Sequence, residues 1–297
     1  MSKDRSLRAC LSLEGLSIGD AFGQQFFMPN VASSARPGNL PPGPWGYTDD
    51  TEMAIALTQT LRDCAVVDQD VLARLFAERY EAEPYRGYGA GARRLLEGIA
   101  SGGAWRELSR EMFGGSGSYG NGAAMRVAPL GAWFADDVER TIEQAALAAE
   151  VTHAHREAEV GAIAVALAAG WAWRRENEPA EELIPWVISH LEASEVRRRL
   201  EIAADYPLDM WPFNVASQVG CGLEISSQDT VPYCLWMAAA FLDDYEEAMW
   251  TAARVGGDVD TTCAIIGGIV SLHVGPDGIP AQWKHAREPL GWSSVRA

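Results

Sequence analysis

The sequence predicts an all-α fold, a single compact multi-helix bundle, and three observations carry that expectation. Apolar residues recur at helical spacing, as with Met53, Leu57, Leu61 and Cys64 at i, i+4, i+8 and i+11. Residues 136–173 and 231–254 are rich in Ala with Leu and Val, which suits helices packed closely through small side chains. Sustained apolar–polar alternation, the mark of half-buried strands, is hard to find anywhere.

Taken in order, Gly15, Gly19 and Gly23 recur every four residues and would share one helical face, so another backbone can approach there. Four segments enriched in Gly, Pro, Ser or Asn break the helical pattern, at residues 29–47, 84–91, 113–122 and 206–222. These are the expected rim loops. Within the second half, Glu195-Val196-Arg197-Arg198-Arg199-Leu200-Glu201 reads as a solvated helix face with internal ion pairs. Trp45 and Trp211 fall in loops and are candidates to line a pocket. No linker, low-complexity segment or long-period repeat interrupts the chain, so residues 1–297 are expected to form one domain.

The 297 residues are 48% apolar, ample for a packed core. They carry 24 Lys and Arg against 41 Asp and Glu, a net charge of −17. Without a basic block to neutralise phosphates, nucleic acid is not expected as the main partner. Cys10, Cys64, Cys221, Cys234 and Cys263 are odd in number and scattered, which suits a reduced, cytoplasmic protein. Glu14 and Asp20 interrupt the N-terminal apolar stretch, so no export signal is expected. The longest uncharged run, residues 160–173, is shorter than the roughly 20 residues a membrane helix needs.

Two acidic clusters precede strongly apolar helical stretches, Thr48-Asp49-Asp50-Thr51 and Gly256-Gly257-Asp258-Val259-Asp260-Thr261-Thr262. One reading is capping, since Asp and Thr oxygens accept from the free N–H groups of a first helical turn. One capping residue suffices, however, and two adjacent carboxylates repel unless a cation counters them. The other reading is therefore a hard divalent cation, because every donor on offer is oxygen. A third feature, Gly114-Gly115-Ser116-Gly117-Ser118-Tyr119-Gly120-Asn121-Gly122 running into Ala123-Ala124-Met125-Arg126, reads as a loop feeding a helix. Its backbone N–H groups and the following helix N-terminus would suit a phosphate. A flexible surface loop is the competing explanation, for it lacks the ending of a P-loop.

Together these segments resemble the ADP-ribosylglycohydrolase family, an all-helical group with two metal ions in a central cleft. Five motifs occur in the family's order between about Leu11 and Trp283: Gly15-Leu16-Ser17-Ile18-Gly19-Asp20-Ala21-Phe22-Gly23, Thr48-Asp49-Asp50-Thr51-Glu52-Met53, residues 117–126, Thr152-His153 and Gly256-Gly257-Asp258-Val259-Asp260-Thr261. The resemblance implies that Thr48, Asp49 and Asp50 hold one Mg²⁺ and that Asp258, Asp260 and Thr261 hold another, with Asp260 bridging; Mn²⁺ is the alternative ion. It implies a phosphate cradle at Gly117, Ser118, Tyr119, Gly120 and Asn121, with Tyr119 and Phe113 stacking on adenine and His153 near the distal ribose. Asp20 is then a support for the metal ligands, or a cap or packing group of its own helix.

The implied reaction is hydrolysis of the N- or O-glycosidic bond at C1″ of an ADP-ribose conjugate, through an oxocarbenium-like transition state. The expected partner is ADP-ribose or an ADP-ribosylated protein or small molecule. Asp49 or Asp50 would take the proton of the attacking water or shape the ribose. One departure stands out: many members carry a glutamate four residues beyond the last glycine of the first motif, where this chain has Gln24-Gln25-Phe26-Phe27. No acid follows in residues 29–47 to replace it. Besides hydrolysis, two alternatives stay open: ADP-ribose binding without turnover, and two-metal phosphohydrolase chemistry.

Overall fold

Three glycines four residues apart leave one side of the first helix without side chains, and the centre of the molecule is built on that stripe. The computed structural model describes residues 2–291, which contain sixteen α-helices, four 3₁₀ turns and no β-strand. The first eight are α1 (Ser2–Gln24), α2 (Pro29–Ser34), α3 (Asp49–Cys64), α4 (Gln69–Ala82), α5 (Ala90–Ala100), α6 (Trp105–Gly115), α7 (Ala128–Trp133) and α8 (Val138–Glu150). There follow α9 (Arg156–Arg174), α10 (Leu183–Ser189), α11 (Glu195–Ala204), α12 (Pro212–Val219), α13 (Ser227–Ala240), α14 (Tyr245–Val255), α15 (Val259–Val274) and α16 (Ala281–Ala286).

Helices α1 and α15 run antiparallel with their backbones in contact. A Cβ placed on Gly15 would lie 2.4 Å from the Gly267 carbonyl oxygen, one on Gly19 2.2 Å from that of Cys263, and one on Gly23 2.5 Å from that of Val259. Ser12 Oγ donates to the Gly268 carbonyl at 2.7 Å, and Tyr245 OH donates to that of Gly15 at 2.6 Å. The stripe thus exchanges side-chain bulk for dispersion contact along a little over two helical turns, from Gly15 to Gly23. Helix α15 is buried on all sides, against α1, α3, α7, α9, α13 and α14. The Ala-rich α9 forms the next layer, where α7 approaches so closely that a Cβ on Gly131 would fall 2.0 Å from the Ala166 carbonyl oxygen.

Three readings of the sequence need correction. Residues 29–47 and 206–222 are not loops throughout, since α2 and α12 lie within them. Pro29 and Pro212 each occupy a first helical position, where the ring pre-sets φ and the missing N–H has no intrahelical partner to lose. Trp45 does not line a pocket. It is fully buried in an aromatic cluster, its ring 5.5 Å from that of Trp283, with Phe22 stacked on Trp283 at 4.4 Å. Trp211 is exposed on a separate groove with Phe213.

Other expectations match the structure. Glu195 and Arg197 to Glu201 form three ion pairs along α11. The five cysteines are free thiols. No helix among the described residues is long and apolar enough to cross a membrane.

A methyl group at Gly19 meets backbone, which cannot rotate away as a side chain can. Gly19→Ala is expected to cost about 3 kcal/mol, the upper part of the usual range for overpacking. Urea unfolding measures it, and an unchanged midpoint would show that α1 does not sit this close to α15.

Candidate active site

The α1–α15 contact brings the end of α1 beside the first turns of α3 and α15, and Asp20 is the link. It is fully buried, and both its oxygens are used. Oδ1 accepts from the Thr48 hydroxyl at 2.8 Å, and Oδ2 accepts from the backbone N–H of Thr48 at 2.9 Å and of Thr51 at 3.1 Å. The Thr51 hydroxyl donates to the same Oδ2. Asp20 therefore ties down the start of α3, not its own helix. With Thr48 as the N-cap residue, the first turn of α3 is satisfied without Asp49 or Asp50.

Capping does not explain the second cluster either. Asp258 is the N-cap residue of α15 yet makes no side-chain capping bond. Its Oδ2 instead accepts from Asn121 Nδ2 at 2.7 Å. Asp50 Oδ2 lies 2.8 Å from the Thr48 hydroxyl oxygen, whose single hydrogen it shares with Asp20, while Asp50 Oδ1 is buried with no partner. Asp20, Asp50 and Asp260 each bring a carboxylate oxygen within 4.8 Å of the other two. A buried, unpartnered carboxylate oxygen among oxygen-only donors is what a hard divalent cation would satisfy.

The carboxylates also repel one another. Burial, then mutual repulsion, holds Asp50 and Asp260 well above the ordinary carboxylate range. Burial raises Asp20 to about 6, against its hydrogen bonds from Thr51 and Thr48. Burial and the Asp20 charge raise Asp49 to about 7. Asp258 is raised too, though the Asn121 bond opposes the shift. Arg126 lowers Asp49 slightly, but is itself buried and pulled down to about 9.

These groups form the floor of a cleft of about 460 Å³, lined there by Asp49, Asp50, Asp258, Asp260 and Thr261. One wall is residues 118–122 with Met125 and His153, and the other is Gly87 and residues 89–92. At the mouth the rings of Phe113 and Tyr119 lie 6.5 Å apart and 27° from parallel. Phe113 is 64% exposed and Tyr119 48%, an open pair of flat apolar faces. Phe113 and Gly114, at φ 50° and 73°, break the end of α6. Ile225, also on the cleft, has φ 51°, a costly conformation for a β-branched residue.

Two expected site residues are placed off the cleft. Thr48 turns its hydroxyl to Asp20 and Asp50. Gly117, at φ 74°, packs against the Ala154 backbone, so the candidate cradle starts at Ser118. The loop also does not feed a helix. A three-residue 3₁₀ turn, Asn121–Ala123, follows it, and α7 begins only at Ala128. Gly120 and Gly122 have a second use, since Cβ atoms there would lie 3.3 Å from Nε2 and 2.8 Å from Cε1 of His153.

Several cleft residues were not singled out from sequence. The wall at residues 87–91 had a signal in its alternating glycines, Gly87, Gly89 and Gly91. Glu224 and Ile225 had none, because the segment is held against the glycine loop by bonds between residues some hundred positions apart, with Asn121 N–H donating to the Ile225 carbonyl at 3.3 Å, Ser227 N–H to that of Tyr119 at 3.0 Å and the Ser227 hydroxyl to that of Gly120 at 3.0 Å. At the position of the absent glutamate, Phe27 is 52% exposed in the 3₁₀ turn that follows α1.

A raised carboxylate pKa stabilises the fold below its unfolded value of about 4, and that stability is lost as pH rises through the folded value. For Asp20 and Asp49 the loss runs from about pH 4 up to about 6 and 7. A divalent ion offsets it where the groups must ionise. Mg²⁺ is thus expected to raise the melting temperature more at about pH 8 than at about pH 5 in thermal denaturation. Equal shifts at both would contradict this site.

Comparison with known proteins agrees with this geometry. The family described as ADP-ribosylglycohydrolase matches residues 1–295. ADP-ribosylhydrolase ARH3 of Homo sapiens is 30% identical over 273 residues, covering 82% of this chain and 74% of that protein. ARH3 of Gallus gallus is 30% identical over 329 residues, covering 95% and 88%. A solved structure described as an ADP-ribosylglycohydrolase-related protein complex shares the fold with TM-score 0.68 and 27% identity, over 96% of this chain and 94% of that one. The all-helical fold, the paired acidic helix starts and these matches lead to one conclusion: the chain belongs to the ADP-ribosylglycohydrolase family.

Proposed function

We propose that this protein hydrolyses the N- or O-glycosidic bond joining ADP-ribose to an acceptor side chain or small molecule, releasing ADP-ribose in the presence of Mg²⁺ or Mn²⁺. The observation that carries the reading is the unpartnered Asp50 Oδ1 among carboxylates in excess of what the two helix starts need, at the floor of a cleft ending in two open aromatic faces. The names of the ARH3 relatives point the same way.

Asp49 and Asp50 from α3, with Asp258, Asp260 and Thr261 from α15, would hold the ions, and Thr48 would serve by orienting Asp50. Bound there, two divalent ions would supply the positive charge that offsets the floor and lets an acidic protein accept a pyrophosphate. Ser118 to Asn121 would border the phosphates, and a base would sit against Tyr119 and Phe113. Asp49 is the more exposed of the α3 pair, so it is assigned the water proton as C1″ becomes oxocarbenium-like. The remaining carboxylates favour that developing positive charge.

A second reading, ADP-ribose binding without turnover, is favoured by the exposed Phe27 where many relatives have a glutamate. Incubation of ADP-ribosylated serine and arginine peptides with Mg²⁺ separates the two. Free ADP-ribose is expected, and Asp260→Asn should cut its release by more than about 100-fold. Binding without product would favour the second reading, whereas AMP or phosphate as product would sink both.

A further inference from the structure

We propose that Arg126 and Thr152 are positioning residues that lock His153 in the neutral tautomer with its proton on Nε2, giving the cleft an uncharged hydrogen-bond donor. Arg126 is fully buried behind the glycine loop. Its Nη1 donates to the Gly122 carbonyl at 2.8 Å, and its Nη2 donates to the Ala148 carbonyl at 3.1 Å and to Thr152 Oγ1 at 2.8 Å. Its guanidinium lies 4.6 Å from the centre of the Phe76 ring. No carboxylate pairs with it among the described residues. A guanidinium can only donate, so the direction of its bond to Thr152 is fixed.

The rest follows from counting protons. Thr152 is buried, and its hydroxyl oxygen lies 2.7 Å from His153 Nδ1. With one lone pair of that oxygen taken by Arg126, two arrangements remain. If Nδ1 carried the proton, the hydroxyl would accept twice and its own hydrogen would be buried without a partner. If Nδ1 is bare, the hydroxyl donates to it, and both the Thr152 hydroxyl and Nδ1 are satisfied. An unmet buried hydroxyl costs enough to favour the second arrangement roughly 5- to 150-fold. The doubly protonated ring meets the same objection, and burial with the Arg126 charge holds the His153 pKa down to about 3.

The proton therefore sits on Nε2, on the side of Gly120 and Gly122, where His153 lines the cleft. No protein acceptor binds Nε2 among the described residues. The group it would meet is a ligand oxygen with a lone pair. On the proposed function, this is a hydroxyl or phosphate oxygen of ADP-ribose, and only that last step rests on that reading. Donation from Arg126 to Thr152 to His153 also polarises the chain, bringing positive potential to an acidic cleft while the cation stays behind its wall.

Two measurements test this. In a two-bond ¹H–¹⁵N spectrum of the ligand-free protein at neutral pH, His153 should show a pyrrole-type Nε2 and a pyridine-type Nδ1. A protonated Nδ1, alone or in a charged ring, would overturn the proposal whether or not any variant folds. Thr152→Val should lose the fixed tautomer and weaken ADP-ribose binding about 3- to 10-fold by calorimetry, and Thr152→Ser should restore both. Equal affinity of wild type and Thr152→Val would also overturn it, leaving the functional reading intact. The stated tautomer with no ADP-ribose affinity in wild type would support the lock and overturn that reading instead.

Discussion

The structure depends on forcing carboxylates from two distant parts of the chain into one buried space. The antiparallel contact of α1 with α15 does this. With Gly19 and Gly23 against the carbonyls of Cys263 and Val259, the start of α15 is held at the end of α1. Asp20, one residue after Gly19, then fixes the start of α3 through Thr48 and Thr51. The two acidic helix starts have no freedom to separate. The repulsion between Asp50 and Asp260 is a consequence of backbone packing, and a bound cation is the natural relief.

From that constraint the chemistry of the cleft follows. An acidic floor would repel a pyrophosphate, so on the proposed function attraction would come from metal charge and from neutral donors on the walls. The glycine loop is held to the floor by Asn121, which bonds Asp258 and Thr230 at once. Behind the loop, Arg126 ties Gly122, Ala148 and Thr152 together. Floor and wall are thus one hydrogen-bonded unit. At the mouth, strained backbone at Phe113 and Ile225 marks where the fold gives up local stability for shape.

Much of this was legible in the sequence, and most of the exceptions share a cause. Helical spacing at Met53, Leu57 and Leu61 and the glycine stripe at Gly15, Gly19 and Gly23 are local periodicities, and both appear in the structure as read. The acidic clusters were visible because two carboxylates exceed what capping needs. What failed depended, apart from two prolines, on partners far away in the chain. Pro29 and Pro212 look like breakers until the following residues are seen to continue as helix. Trp45 reads as a loop residue because nothing local shows Trp283 beneath it. Gly117 looked like part of a cradle, but its neighbour Ala154 decides its role. Likewise, the bond from Arg126 to Thr152 spans 26 residues and has no sequence signature.

The central claim is that α3 and α15 meet around divalent cations. Anomalous diffraction from crystals soaked in Mn²⁺ near neutral pH tests it without assuming any substrate. Peaks are expected between Asp49 and Asp50 on one side and Asp258, Asp260 and Thr261 on the other. A featureless map there, with the carboxylates still in mutual contact, would mean that shared protons and not metal ions neutralise the site.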